Sequence, residues 1–372
     1  MFLVDLMITK TSDDVLISSW ALTKSVVFIG LIFVLLGLDQ AIVRLKLNIK
    51  EIIFPALIQF FIISFLITTL IVLFTKQGQL NFPIITISLF LLASLYLIYA
   101  EHRLNLRYLK AQISVNGWKI LFLLLILFMG YSNFYIALPI AIGVTFILTF
   151  FDRGAFKLLK LISLEQYKKI IKTGLHYFVT LLTLTLTIYI DQIVLNADRR
   201  ILEASVLFSH ITFFVSPNAI LIGFVGFLLV PYLKKNPELR IFLFKKYIYI
   251  FLLFVVTIVI ISYFLGYVLF SCLKSSKDFS FYLALAMSTV TFLRYLYILP
   301  SSYIGSFASN QLIRKVAFLN LGGIAIYFLL YYLISRYSGN YLLAIVTAII
   351  VVWSVRILSG FYAIFEMFKQ HE

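Results

Sequence analysis

YIYIFLLFVVTIVIISYFLGYVLFS, residues 247–271, is bounded by Lys245-Lys246 on one side and Lys274 on the other, and no charged side chain interrupts it. Crossing about 30 Å of hydrocarbon takes about 20 mainly apolar residues in a helix. The run is too long and too continuous for a sheet strand. It also lacks the alternation of apolar and polar residues that marks the strands of an outer-membrane barrel. Segment 247–271 is a membrane helix.

Working outward, ten more segments qualify on the same grounds: 16–38, 52–74, 82–100, 113–131, 133–151, 173–196, 201–230, 281–308, 316–335 and 341–365. The links between them carry the Pro, Gly, Asn and Lys/Arg signals of helix boundaries, outside the hydrocarbon, where water satisfies the backbone. The whole chain agrees: 63% of its 372 residues are apolar and 12% charged, against about 45–50% and about 25% in a soluble domain. The expected fold is an all-α integral membrane protein with eleven spans. Soluble enzymes are excluded on composition alone.

The net charge of +16 would suggest nucleic acid in a soluble protein. Here the positions of the charges give another reason. Of the 31 Lys and Arg residues, twenty fall on one set of alternate links and the tail, seven on the other set, and four inside spans. Cytoplasmic loops of membrane proteins concentrate positive charge, so the first set is expected inside. That places the C-terminus in the cytoplasm, with no nucleic-acid partner. Eleven spans then put the N-terminus outside, although Met1 to Leu6 has no signal-peptide pattern. Leu3-Val4-Asp5-Leu6-Met7 reads as the tail of an earlier helix, so a twelfth span ahead of residue 1 is expected.

The basic link 152–172 divides the chain into an N-terminal five-helix bundle, residues 1–151, and a C-terminal six-helix bundle, residues 173–372. Ile162, Leu164, Tyr167, Ile170 and Ile171 lie among its charges, the pattern of an amphipathic helix resting on anionic headgroups. The other set of links is short, with no room for a soluble catalytic domain. There is no phosphate loop, no H-E-x-x-H, and Cys272 alone gives neither a disulfide nor a zinc site. No catalytic residue, metal ligand or cofactor is expected, and the chain reads as a non-enzyme.

Three stretches carry a family resemblance. Leu36-Gly37-Leu38-Asp39-Gln40-Ala41-Ile42-Val43-Arg44 resembles a G-L-D-Q-A-[IV]-V-R pattern. Thr173-Gly174-Leu175 through Tyr189-Ile190-Asp191-Gln192-Ile193-Val194-Leu195 is similar to a helix ending in D-[RQ]-x-[IV]-L, and Ser301-Ser302-Tyr303-Ile304-Gly305-Ser306 with Asn310 to the small-residue close of another. Their order and spacing resemble the O-antigen flippases (Wzx type) of the multidrug/oligosaccharidyl-lipid/polysaccharide exporter superfamily. The resemblance covers nearly the whole chain, short of the family's first helix. It implies two six-helix bundles around a central cavity and cytoplasmic termini. It further implies a bacterial inner (plasma) membrane location, with undecaprenyl-diphosphate-linked oligosaccharide, an O-antigen or capsule repeat unit, as the substrate. The substrate would be turned from the cytoplasmic to the outer leaflet. Membrane lipids, a polysaccharide polymerase and chain-length machinery are the partners implied. Two other readings compete: an ion-coupled drug exporter of the same superfamily, which favours acidic interior residues, and a polysaccharide polymerase or acyltransferase, which wants a long external loop.

Charge inside a span costs at least about 2.5–3.5 kcal/mol, so each case needs a reason. Arg294 stands midway along an otherwise uncharged span and is the first candidate for the diphosphate or an acidic sugar, since guanidinium matches phosphate with parallel bonds. Its structural alternative is a pair with Asp191 or Glu203. Arg356 and Lys24 are further substrate-binding candidates, with snorkelling as the rival role for Arg356; Lys119 is near enough to a span end to snorkel. Asp191, His176 and His210 are the ion-coupling candidates, against a solvated helix end for Asp191 and hydrogen-bonded packing for the histidines. Asp39 and Arg44 are expected to cap and pair at a helix end. Ser301, Gly305 and Ser309 recur at four-residue intervals as a small-residue packing face. Pro217 and Pro300 are expected to kink their helices.

Overall fold

A computed structural model of the chain describes residues 1–11, 13–75, 81–151, 162–235, 240–273 and 277–369. Among the described residues there is no strand, and ten helices are long and apolar enough to cross a membrane, or eleven when one bent pair is taken as a single span. The all-α multi-span expectation holds. Two compact units account for the chain.

The first unit comprises Ser18–Arg199 with Met1 and Leu3. It holds α2 (Asp14–Leu35) from Ser18 onward, α3 (Leu38–Leu45), α4 (Ile49–Thr75), α5 (Phe82–Leu104), α6 (Tyr108–Met129), α7 (Phe134–Phe151) and α8 (Leu164–Ala197). The second unit comprises Val4–Ile17 and Arg200–Glu372 with Phe2. It holds α1 (Phe2–Ile8), the first turn of α2, and then α9 (Ile201–Phe214), α10 (Ser216–Lys235), α11 (Arg240–Cys272), α12 (Phe281–Phe307), α13 (Asn310–Ser338) and α14 (Tyr341–Lys369).

Residues 173–196 therefore do not open the second unit. Helix α8 packs on α3 and α4, and the boundary falls at Arg199–Arg200. The physical reason lies in two glycines. Where α2 gives way to α3, Leu36 and Gly37 turn left-handed, with φ of 46° and 73°. A Cβ on Gly37 would meet the Gly174 carbonyl oxygen of α8 at 2.2 Å, and one on Gly174 would meet the Leu36 carbonyl oxygen at 2.7 Å. Only bare backbone fits on both sides of that crossing. Along the same contact Phe28 stacks on Tyr189 at 5.2 Å, Phe33 meets Phe178 edge-on at 5.4 Å, and the Arg44 guanidinium lies 5.5 Å over the Tyr177 ring. The first two stretches that carried the family resemblance are thus neighbours in space.

Half of the basic link 152–172 is also helix. Residues 152–161 lie outside the described residues, but Ser163 starts α8 with a capping box, its hydroxyl accepting from the Gln166 amide and the Gln166 side chain accepting from Ser163 N–H. Lys168, Lys169 and Lys172 lie in the first turns of α8, ahead of its long apolar run. Tyr167 and Ile170 are buried there, and the Tyr167 hydroxyl donates to Gln59 Oε1 of α4 at 2.7 Å. Gln59 in turn donates to the Val34 carbonyl at 3.1 Å. These two side chains face protein, not headgroups, which corrects that part of the amphipathic expectation.

In the second unit, the 201–230 span is two helices bent by 47°, with the break at Val215, two residues before Pro217. Proline supplies no N–H to the helix ladder. At the break, the carbonyl of Phe214 accepts from Asn218 Nδ2 at 3.1 Å and from the Thr291 hydroxyl of α12 at 3.0 Å. Asn218 Oδ1 accepts from Ser262 of α11 at 2.7 Å and from Tyr295 of α12 at 2.9 Å. Helix α12 runs on through Pro300, and it is there that α14 comes closest: a Cβ on Gly360 would stand 2.6 Å from Pro300 Cβ. The small-residue face expected at 301, 305 and 309 does not form. A Cβ on Gly305 would meet nothing within 4 Å, and Ser309 lies outside α12, where it caps α13 through the Leu312 amide.

Asp39 sits in α3, outside the spanning helices, and 5% of it is exposed. It does not pair with Arg44. Its Oδ2 accepts from Gln40 Nε2 at 2.7 Å, Oδ1 has no hydrogen-bond donor, and Arg103 attracts it electrostatically. Burial pushes its carboxyl above the ordinary value, with the Gln40 bond and Arg103 pulling the other way. A raised value in the folded state means that folding favours the proton. The stabilisation is complete below the ordinary carboxylate range and is lost as pH rises through the folded value. Asp39→Asn mimics the protonated form. It is expected to melt a few degrees higher than wild type at pH 7–8, on a scale of about 2–4 °C per kcal/mol, with the difference shrinking towards pH 4. Thermal unfolding of the purified chain at both pH values checks this; a lower melting temperature for the variant at pH 7–8 would contradict it.

Candidate functional site

The second unit holds a cluster of charge and aromatic rings within apolar helices. Helix α12 presents Arg294 and Tyr297 three residues apart; α14 presents Trp353 and Arg356 at the same spacing. Residues three apart share a helix face, and the Gly360–Pro300 approach brings the two faces together. The Arg294 guanidinium lies 5.6 Å over the Trp353 ring, and that of Arg356 lies 4.9 Å over the Tyr297 ring. Tyr297 and Trp353 themselves meet edge-on, at 6.1 Å and 69°. Cations and rings are thereby interleaved.

The two arginines differ in access. Arg294 is half-buried; Arg356 is 2% exposed, and neither its Nε nor its Nη1 finds a hydrogen-bond acceptor. Snorkelling does not describe Arg356. A cation–π contact away from water is worth about 2 kcal/mol or more, which offsets part of the cost of burying its charge. The unused donors keep the capacity to bind an anion. Chemically, the cluster can offer guanidinium to a phosphate or carboxylate and ring faces to apolar or sugar surfaces.

In the first unit the charged in-span residues also gather. Lys24 of α2 interacts electrostatically with Asp191 of α8 and with Lys119 of α6. Asp191 is buried rather than solvated, its Oδ2 accepting from Gln192 Nε2 at 3.2 Å. Lys119 is half-buried, donates to Asn116 Oδ1 at 2.5 Å and lies 5.8 Å over the Trp118 ring. The Ser18 hydroxyl donates to Asn196 Oδ1 at 2.7 Å, tying α2 to α8 beside this group. Among the described residues, no group of three His, Cys, Asp or Glu side chains is placed to hold a metal ion.

His210 is fully buried with both ring nitrogens engaged. Nδ1 lies 2.8 Å from the Val206 carbonyl, and Nε2 accepts from the Ser280 amide at 3.2 Å. That pattern requires the neutral tautomer with its proton on Nδ1, and Phe214, Phe270 and Phe279 surround the ring. Protonating Nε2 would set one donor against another at the start of α12, so the geometry is that of a packing and capping residue. His176 belongs to α8, but its side chain lies outside the described residues. Glu203, offered as a partner for Arg294, stands in the first turn of α9.

Tyr297 and Trp353 were missed by sequence reasoning. Their signal is the i, i+3 spacing from each arginine, which becomes meaningful only once α12 and α14 are known to be neighbours. Set beside this geometry, no family model, no curated protein and no solved structure matches the chain.

Proposed function

We propose that this multi-span membrane protein is a flippase. It translocates an undecaprenyl-diphosphate-linked oligosaccharide, an O-antigen or capsule repeat unit, from the cytoplasmic to the outer leaflet of the bacterial inner membrane by alternating access. The observation that carries the reading is the interleaved Arg294–Trp353–Tyr297–Arg356 cluster within apolar helices. Neutral or cationic drugs give no reason to keep two guanidinium groups in hydrocarbon. An anionic headgroup bearing sugars does, because guanidinium answers phosphate and aromatic faces accept the apolar side of a pyranose.

In this mechanism the two arginines hold the charged head while the polyprenyl tail stays in lipid. Two repeats rocking against one another expose the head to each side in turn. The polymerase and chain-length machinery take the unit on the far side. A second reading, an ion-coupled exporter of the same superfamily, draws on buried Asp191 beside Lys24.

Depleting the protein in its native host separates the two. The flippase reading expects lipid-linked repeat units to accumulate on the inner leaflet, protected from an externally added glycan-binding probe, while surface polymer disappears. Normal surface polymer together with a gain in drug sensitivity would refute it in favour of the exporter.

A further inference from the structure

The first three turns of α8 form a second basic feature, distinct from the Arg294 cluster and independent of the flippase reading. Helix α8 covers 34 residues, about 51 Å at 1.5 Å per residue, more than about 30 Å of hydrocarbon takes, and Lys168, Lys169 and Lys172 all fall in its first nine residues. The turns from Leu164 to His176 therefore stand at and beyond the border between hydrocarbon and water. One side of them is used: Tyr167 and Ile170 are buried, and Gly174 touches the Leu36–Gly37 backbone.

On the other side most described side chains are exposed, Ile171 being half-buried. Leu164, Lys168, Ile171 and Leu175 recur at the four- and three-residue steps that share a helix face. Leu164 is 68% exposed and Leu175 42% exposed, and Lys168 is exposed between them. Lys172 and Lys169 are exposed on the flank. Lys168 and Lys172, four apart, repel one another. Glu165 is the one acidic side chain within these turns. An anion alongside would offset the positive charge that Glu165 leaves unbalanced.

Phosphate would satisfy the lysines but gives no role to the two exposed leucines. A lipid does both: its phosphate takes Lys168 and Lys172, whose stems snorkel upward, and its first acyl carbons lie against Leu164 and Leu175. We propose that this face of α8 is a binding site for an anionic glycerophospholipid headgroup at the membrane–water border.

The test uses the full chain, purified and delipidated in detergent, with native mass spectrometry to count bound lipid against phosphatidylglycerol or phosphatidylcholine. Wild type is expected to prefer phosphatidylglycerol. In Lys168→Gln/Lys172→Gln the preference should fall by about an order of magnitude, given the attraction of each lysine to an anionic surface. Lys168→Arg/Lys172→Arg should retain it, as should Lys315→Gln, an exposed basic residue elsewhere. All three positions being exposed, loss of fold does not confound the comparison. An unchanged preference in the Gln double variant, or an equal loss in Lys315→Gln, overturns the site. Displacement of phosphatidylglycerol by excess inorganic phosphate overturns its assignment to a lipid.

Discussion

Arg294→Ala is expected to reduce glycan export by about 10- to 100-fold while the protein still inserts and purifies as wild type. The size follows from the bond: a hydrogen bond to a charged group contributes about 1.5–3 kcal/mol, and each 1.4 kcal/mol is a factor of ten. Insertion is expected to survive because alanine removes a charge that the bilayer penalises. Arg294→Lys keeps the charge but loses the planar fork and its stacking on Trp353, so it should recover part of the activity and not all of it. The reciprocal change is Trp353→Phe, which keeps a ring of smaller face and should act as a weak version of Arg294→Lys. Surface polymer per inserted protein, measured in a complemented deletion strain, reads all three. Normal export by Arg294→Ala would remove the cationic cluster from the mechanism. Export lost only in proportion to the amount of protein would make Arg294 a structural residue.

How much of this was readable beforehand depends on what kind of interaction decided it. The spans were legible because the bilayer imposes a length on apolar runs, and that length is local in the chain. The break at Val215 was close to legible for the same reason, since Pro217 lacks the N–H that a continuous helix requires. The start of α8 was read as part of a linker, an amphipathic helix lying on headgroups, and its lysines gave no sign that Tyr167 and Ile170 pack on protein. The Ser163–Gln166 capping box was the local signal for where that helix begins. Which unit α8 joins was not legible at all. It depends on Gly37 and Gly174 meeting, and nothing in a single glycine says which distant backbone needs its space.

The site divides the same way. Arg294, Arg356, Lys24 and Asp191 stood out because charge in an apolar run is costly wherever its partners are. Tyr297 and Trp353 did not stand out among 38 Phe, 23 Tyr and 3 Trp, since aromatic residues in a membrane helix serve lipid, packing and ligands alike. His210 was read as a titratable group in an apolar span. The Val206 carbonyl and the Ser280 amide, which use up its two nitrogens, come from its own helix and from a residue 70 positions away, and only the first of these is local.

The largest effect on stability is expected at the crossing of α2–α3 with α8. In Gly37→Ala the new residue must hold φ near 73°, which costs an L-residue about 1–2 kcal/mol. Its methyl group would also overlap the Gly174 carbonyl oxygen, 2.2 Å away. That oxygen is backbone of a long helix and cannot rotate aside, so α8 must shift or α3 must unseat; forcing volume into a packed site costs about 1–3 kcal/mol. The sum, about 2–5 kcal/mol, is a large share of the about 5–15 kcal/mol typical of folded proteins. Gly37→Ala should therefore accumulate poorly and elute broadly on size exclusion. Gly174→Ala, with a 2.7 Å approach to the Leu36 carbonyl oxygen but ordinary helical backbone, should show the same defect to a lesser degree. Gly223→Ala is the matched control, because a methyl there meets nothing within 4 Å and alanine gains about 1 kcal/mol in a helix. If Gly37→Ala behaves like Gly223→Ala, the close crossing is not what holds α8 to the first unit, and the boundary at Arg199–Arg200 needs another cause.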